Sequence, residues 1–174
     1  KKYYFGVTDG DPNSPASDTR FYAAWGHRLG SGSYTGVNNS IKGASEATYR
    51  QYASALLDDN QIEKGFLISS GSAVRSDNID GNVDDWIYVL NFKKSRFKDQ
   101  LQAGNWTLTL SGSIGKTIHL TDDSKVVTIL PIVTDAGHVY NIIYGSAGSP
   151  SDDYSPVGGR YGLFYPDAGI MVFG

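Results

Sequence analysis

Ile87-Tyr88-Val89-Leu90-Asn91-Phe92, then Lys93-Lys94-Ser95-Arg96-Phe97-Lys98-Asp99-Gln100-Leu101-Gln102-Ala103-Gly104-Asn105, then Trp106-Thr107-Leu108-Thr109-Leu110-Ser111, reads as strand, basic connector, strand. In the first segment Ile87, Val89 and Asn91 alternate with Tyr88, Leu90 and Phe92. Both faces are largely apolar, the pattern of a strand covered on both sides. In the last segment Trp106, Leu108 and Leu110 share one face while Thr107, Thr109 and Ser111 share the other, which is the pattern of a half-buried antiparallel strand. The two are expected to form a central hairpin. Within the connector, Phe97 and Leu101 stand four apart on one side of an expected helical turn, which Gly104-Asn105 ends.

Lys93, Lys94, Arg96 and Lys98 put four positive charges into six residues of a chain whose formal net charge is −3. One reading is a solvated turn that keeps a hydrophobic hairpin soluble. The other makes these four residues an assembly contact for an acidic neighbouring surface.

At 174 residues the chain has the size of one domain, long enough to bury a core. It begins with Lys, and a strand is expected almost at once, so it reads either as a processed product or as part of a longer polypeptide. With 12 Tyr, 7 Phe, 3 Trp and 21 Gly, the composition favours strands and turns over helices. The absence of cysteine excludes disulfides and thiolate metal sites. No run of 18 apolar residues is present, so no membrane span is expected, and Lys1-Lys2-Tyr3-Tyr4-Phe5 is too short to be a signal peptide. The negative balance argues against nucleic acid as the main partner, since phosphate binding needs a broadly basic face.

Outward from the central stretch, residues 2–8 and 21–25 read as strands, and residues 26–40, with four glycines, as an extended loop of the kind that serves function or orders on a partner. Residues 45–57 form the one convincing helix: Ser45 is a candidate N-cap, and Tyr49, Tyr52, Ala53, Leu56 and Leu57 share a face. Tyr49 and Tyr52 are expected to pack in the core with their hydroxyls reaching the surface. Residues 66–69 are a further short strand, and 70–85 a polar loop. Residues 116–120, 125–134 and 138–144 follow as strands separated by Asp122-Asp123-Ser124 and Asp135-Ala136-Gly137 turns, with Pro131 marking an edge or bulge. After a loop over residues 145–159, strands at 160–165 and 168–173 close the chain. The expected fold is mainly β: an antiparallel sandwich or barrel with one amphipathic helix over about residues 45–58.

Motifs that carry chemistry are mostly incomplete. Gly112-Ser113-Ile114-Gly115-Lys116-Thr117 lacks the first glycine of a phosphate-binding loop, where Leu110 stands, and opens a strand rather than a helix. Asp9-Gly10-Asp11-Pro12-Asn13 and Asp80-Gly81-Asn82-Val83-Asp84 begin like calcium loops but lack the later glycine and glutamate. A weak site built from Asp77, Asp80, Asp84 and Asp85 is the residual metal candidate, against polar turns as the plain alternative. His27, His119 and His138 have no zinc spacing, no nucleophile elbow is present, and only Glu46 and Glu63 supply glutamates. No catalytic set, cofactor motif or resident metal is therefore expected. Trp25, Tyr34 and Trp86 lie in or beside polar loops, which suits sugar stacking and makes a carbohydrate-binding or host-recognition module the alternative to a structural one.

Tyr88-Val89-Leu90-Asn91-Phe92, Gly104-Asn105-Trp106-Thr107-Leu108, Tyr140-Asn141-Ile142-Ile143-Tyr144-Gly145-Ser146 and Tyr161-Gly162-Leu163-Phe164-Tyr165-Pro166-Asp167-Ala168-Gly169-Ile170, together with the helix carrying Tyr49-Arg50-Gln51-Tyr52 and Leu56-Leu57, resemble virion structural proteins of contractile-tailed bacteriophages, especially those of marine cyanobacteria. The resemblance implies a non-enzymatic virion part, of the tail or baseplate rather than the capsid, whose partners are other virion subunits in a homo- or hetero-oligomer. It implies no catalytic residue.

Overall fold

Alternating apolar residues define most of the strands, and the computed structural model, which describes residues 4–30, 43–68, 83–112, 115, 117–126, 132–151 and 160–174, joins them into one antiparallel sheet. Among the described residues the strands are β1 (Tyr4–Thr8), β2 (Thr19–His27), β3 (Trp86–Phe92), β4 (Leu108–Ser111), β5 (Thr117–Asp122), β6 (Ile132–Thr134), β7 (Gly137–Ser146), β8 (Ser149–Pro150), β9 (Arg160–Tyr165) and β10 (Ile170–Phe173). Their spatial order is β1-β2-β3-β10-β9-β7-β5-β4, with β6 and β8 also paired to β7. The sheet curls into a half-barrel, so the chain takes the barrel-like form of the expected antiparallel fold. The amphipathic helix is α1 (Gly43–Leu56), followed by the single turn α2 (Asp59–Ile62).

The period of two sorts the central side chains into two cores. Ile87, Val89, Tyr165 and Val172 face α1 and pack with Tyr49, Ala53 and Leu56. Leu120, Ile142, Phe164 and Met171 point the other way, beneath Leu101, Ala103 and Trp106 of the connector. Each such large side chain contributes about 1.5–3 kcal/mol through its burial.

Helix α1 crosses β2 so closely that a Cβ on Gly26 would stand 2.7 Å from the Tyr49 amide nitrogen. Gly26 is therefore a strand residue, and the expected loop starts only after His27; residues 31–42 lie outside the described residues. Ser45 is buried inside the first turn of α1 instead of capping it, because the helix begins at Gly43. Tyr49 also departs from expectation. Its hydroxyl stays in the core, donating to the Asp84 carbonyl (2.9 Å) and accepting from the Phe66 amide (2.9 Å). That bond holds Phe66 and Ile68, both fully buried, in an irregular segment where a strand is expected from sequence.

The expected central hairpin does not form. Both edges of β3 are taken, by β2 on one side and by β10 on the other, in a register running from Asn91↔Ile170 to Tyr88↔Phe173. β4 instead pairs with β5 at the far edge of the sheet. The connector has to cross the intervening strands. It makes one 3-10 turn at Lys94–Arg96 and is then extended at Phe97 (φ −141°, ψ 152°), so Phe97 and Leu101 do not share a helical turn. The Leu101 amide donates to the Pro166 carbonyl (3.0 Å), and a side chain on Gly169 (φ 69°) would collide with the Phe97 ring. These contacts hold the connector against the β9–β10 turn.

Asp122-Asp123-Ser124 does not close a hairpin either: β5 and β6 both pair with β7. Pro131 and residues 69–82 and 152–159 lie outside the described residues.

Candidate functional site

The clearest feature is the face of the β1–β2–β3 meander turned away from α1. Register places Trp25 opposite Tyr88 and His27 opposite Trp86, with Phe5 and Val7 continuing the same face onto β1. Tyr88 is 55% exposed and Trp86 42%, whereas Ile87 and Val89, their alternating neighbours, are fully buried on the opposite face. The Trp25 and Trp86 rings lie 5.6 Å apart and 31° from coplanar, and His27 meets Trp86 edge-on at 4.5 Å. This is a preordered aromatic surface that removes much apolar area from water once a partner covers it. From sequence β3 is expected to be covered on both sides; in fact the second core reaches only as far as Leu90 and Phe92.

The four candidate assembly cations lie at the opposite end of β3, and three of them bind the protein's own acceptors. Lys93 Nζ pairs with Asp18 Oδ1 at 3.1 Å, and Arg96 Nη2 reaches the other oxygen of the same carboxylate. Lys94 Nζ donates to the carbonyls of Asp99 (2.9 Å) and Asp167 (3.2 Å) and sits 4.4 Å from the centre of the Phe97 ring. Lys98 is exposed. The hydrogen bond from Lys93, helped by the charges of Arg96 and Lys93, holds the Asp18 carboxyl below its usual range. Much of the basic patch thus serves as a clamp joining the loop before β2, the connector and the β9–β10 turn.

A second polar cluster is buried and was not legible in the sequence. Asp122, fully buried, accepts the Gly104 amide at 2.9 and 2.8 Å and the Ser124 amide at 3.0 Å. Asp123, 2% exposed, accepts from the backbone (2.9 Å) and side-chain amide (2.6 Å) of Asn141. Burial pushes the Asp123 carboxyl up, against the pull of those donors. Arg160 joins the network through Nη1, which donates to Asn141 Oδ1 at 3.5 Å, while its Nε donates to the Ile68 carbonyl (2.8 Å) and burial draws its pKa down. Thr121 adds a link by donating to the Trp106 carbonyl at 2.8 Å and accepting the Gly148 amide at 2.7 Å. The network ties the connector to β5 and β7. Its carboxylates are enclosed rather than facing a cleft, so it works as a fastening.

Of the calcium candidates, Asp84 accepts the Ile68 amide (2.5 Å) and Asp85 pairs with Arg28 (2.9 Å). Asp77, Asp80 and the stacking candidate Tyr34 lie outside the described residues. Among the described residues no three His, Asp or Glu side chains converge as metal ligands would. No helix among them is long and apolar enough to cross a membrane. Comparison with protein-family models, with curated proteins and with solved structures finds no match to this chain.

Proposed function

We propose that the chain is a non-enzymatic structural protein that works by packing against neighbouring subunits, in the tail or baseplate of a bacteriophage particle. The observation that carries the packing function is the exposed aromatic face of the β1–β2–β3 meander, where Phe5, Trp86 and Tyr88 are each more than two-fifths exposed while Ala24, Ile87 and Val89 on the other face are buried against α1. Obligate interfaces bury on the order of 2,000 Å² or more, and aromatic side chains dominate their energetics. Placement in a virion is supported by the resemblance of the Tyr88–Phe92 and Tyr161–Ile170 stretches to phage structural proteins.

Sedimentation velocity at several protein concentrations and two salt concentrations tests this. Assembly that grows with concentration and persists at high salt supports packing through the aromatic face, while assembly lost at high salt assigns the contact to Lys98 and its neighbouring cations. A monomer under all conditions, both alone and with candidate virion subunits, overturns the proposal.

A second reading, a carbohydrate-binding or host-recognition module, is favoured by the Trp25–Trp86 pair, whose tilted rings offer a stacking floor for a sugar face. Titration with oligosaccharides while following tryptophan fluorescence separates the two: a saturable change that a Trp86→Ala variant lacks supports recognition, and a flat response removes it.

A further inference from the structure

We infer that β1 is an open sheet edge that pairs antiparallel with β1 of a second copy of this chain, about a twofold axis through Gly6. Edge pairing presupposes the subunit-packing function proposed above and names its partner and register.

β1 terminates the sheet, and among the described residues no strand pairs with its outer edge. Alternate backbone N–H and C=O groups of an edge strand point outward as a template for another strand, unless charge, proline or a bulge blunts it. Tyr4-Phe5-Gly6-Val7-Thr8 has no charged residue and no proline, and the one irregularity in its pairing, at Val7/Thr8, puts the unmatched residue, Arg20, in β2 rather than in the edge strand. Tyr4 and Phe5 are each 58% exposed and Val7 37%.

The strand is self-complementary about its middle residue. With Gly6 opposite Gly6 of the partner copy, Phe5 falls opposite Val7 and Tyr4 opposite Thr8, so apolar meets apolar on the face that also carries Trp25 and Tyr88. The joined sheet would carry that aromatic face unbroken across the axis.

Charge selects antiparallel pairing over parallel. Asp9-Gly10-Asp11 follows the strand directly. Parallel pairing would set these acidic residues of one copy beside the same residues of the other, whereas antiparallel pairing places them at opposite ends of the paired strands. Self-pairing of one surface patch also closes the assembly as a dimer, whereas pairing of β1 with the opposite edge, β4, would run on as an open filament.

The chain has no cysteine, so a cysteine scan along β1 reads the register directly. Directly opposed residues in an antiparallel pair have Cα atoms about 4.5–5.5 Å apart, within the roughly 4.4–6.8 Å that a disulfide spans. Gly6→Cys is expected to form an intermolecular disulfide dimer on mild oxidation. A Cβ at position 6 approaches its neighbours no closer than 3.4 Å, so the substitution fits the isolated fold. Tyr4→Cys and Thr8→Cys place their own symmetry mates four residues out of register, about 14 Å along the strand, and should remain monomeric under the same oxidant. Phe5→Lys, at an exposed position, should abolish the dimer in sedimentation while leaving the circular dichroism unchanged.

Equal cross-linking at positions 4, 6 and 8, or association that survives Phe5→Lys, overturns edge pairing but leaves subunit packing standing. Species larger than a dimer without a preference for position 6 assign the edge to filament growth and likewise overturn the twofold register. A chain that never associates with itself overturns edge pairing, and one that also stays monomeric with candidate virion subunits removes both proposals.

Discussion

The two faces of the same three strands have opposite fates. On one, Ile87 and Val89 are sealed under α1 and make the fold; on the other, Trp86 and Tyr88 stand in the open. Adjacent residues of one β-strand point to opposite faces, so the two sets differ neither in secondary structure nor in chain position. What separates them is whether another element lands on that side. The helix covers the first face, while the connector covers the second only beneath Leu90 and Phe92. Hydrophobicity alone therefore does not distinguish residues that hold this protein together from residues that it offers to something else.

The comparison breaks most readily at Ile87 and Tyr88. Ile87→Ala should cost about 2–5 kcal/mol, the range for emptying a core site of this size, read as a lowered urea midpoint. Tyr88→Ser one residue away should stay within about 0.5 kcal/mol yet reduce self-association. Equal destabilisation by both would show that the aromatic face is core after all. Gly26→Ala tests how tightly the sealed face is closed. Its methyl group would stand 2.7 Å from the Tyr49 amide, so a loss of about 1–3 kcal/mol is expected from overpacking, with altered near-ultraviolet dichroism as α1 shifts.

Tyr49→Phe sharpens the comparison in a different way, since it removes one oxygen and no hydrophobic area. The Asp84 carbonyl and the Phe66 amide both lose their partner, at about 1–3 kcal/mol by denaturation. The smallest effect belongs to the exposed clamp. Asp18 has a folded pKa below its ordinary value near 3.8, so its ionised form stabilises the fold above that pH, and the contribution disappears as pH falls through the folded pKa. Asp18→Asn should therefore lower the thermal midpoint slightly at neutral pH and match the parent in strong acid. A difference that persists unchanged in acid would assign Asp18 a role other than charge pairing.

Strands and helix were legible because their evidence is local. Alternation over residues 87–92 and the shared face of Tyr49, Ala53 and Leu56 locate β3 and α1 with no knowledge of partners. Pairing was not legible: the neighbour of β3 is β10, from the far end of the sequence, and nothing within residues 87–111 reveals that. Gly26 reads as loop from sequence because glycine punctuates turns, but here it makes room for a helix crossing a strand. Asp122 and Asp123 have the letters of a polar turn, and only the fold shows them enclosed, with amides converging on them. The basic run was visible as charge, but its counter-charge Asp18 lies before β2, so whether the patch faced outward could not be judged from the run itself. The polar surroundings of Trp25 and Trp86 suggest stacking from sequence; their juxtaposition depends on the β2–β3 register.

The placement of β10 between β3 and β9 sets a timetable for folding. The β1–β2, β6–β7 and β9–β10 hairpins can form from nearby residues, but the strand that joins the two halves is, among the described residues, the last in the chain. Closing so long a loop is entropically slow, and topologies rich in distant pairings fold late. Until Ile170–Phe173 arrives, β3 has a vacant edge and both flanks of the meander are templates for stray strands. Aggregation during synthesis or refolding is therefore governed by how quickly those four residues dock.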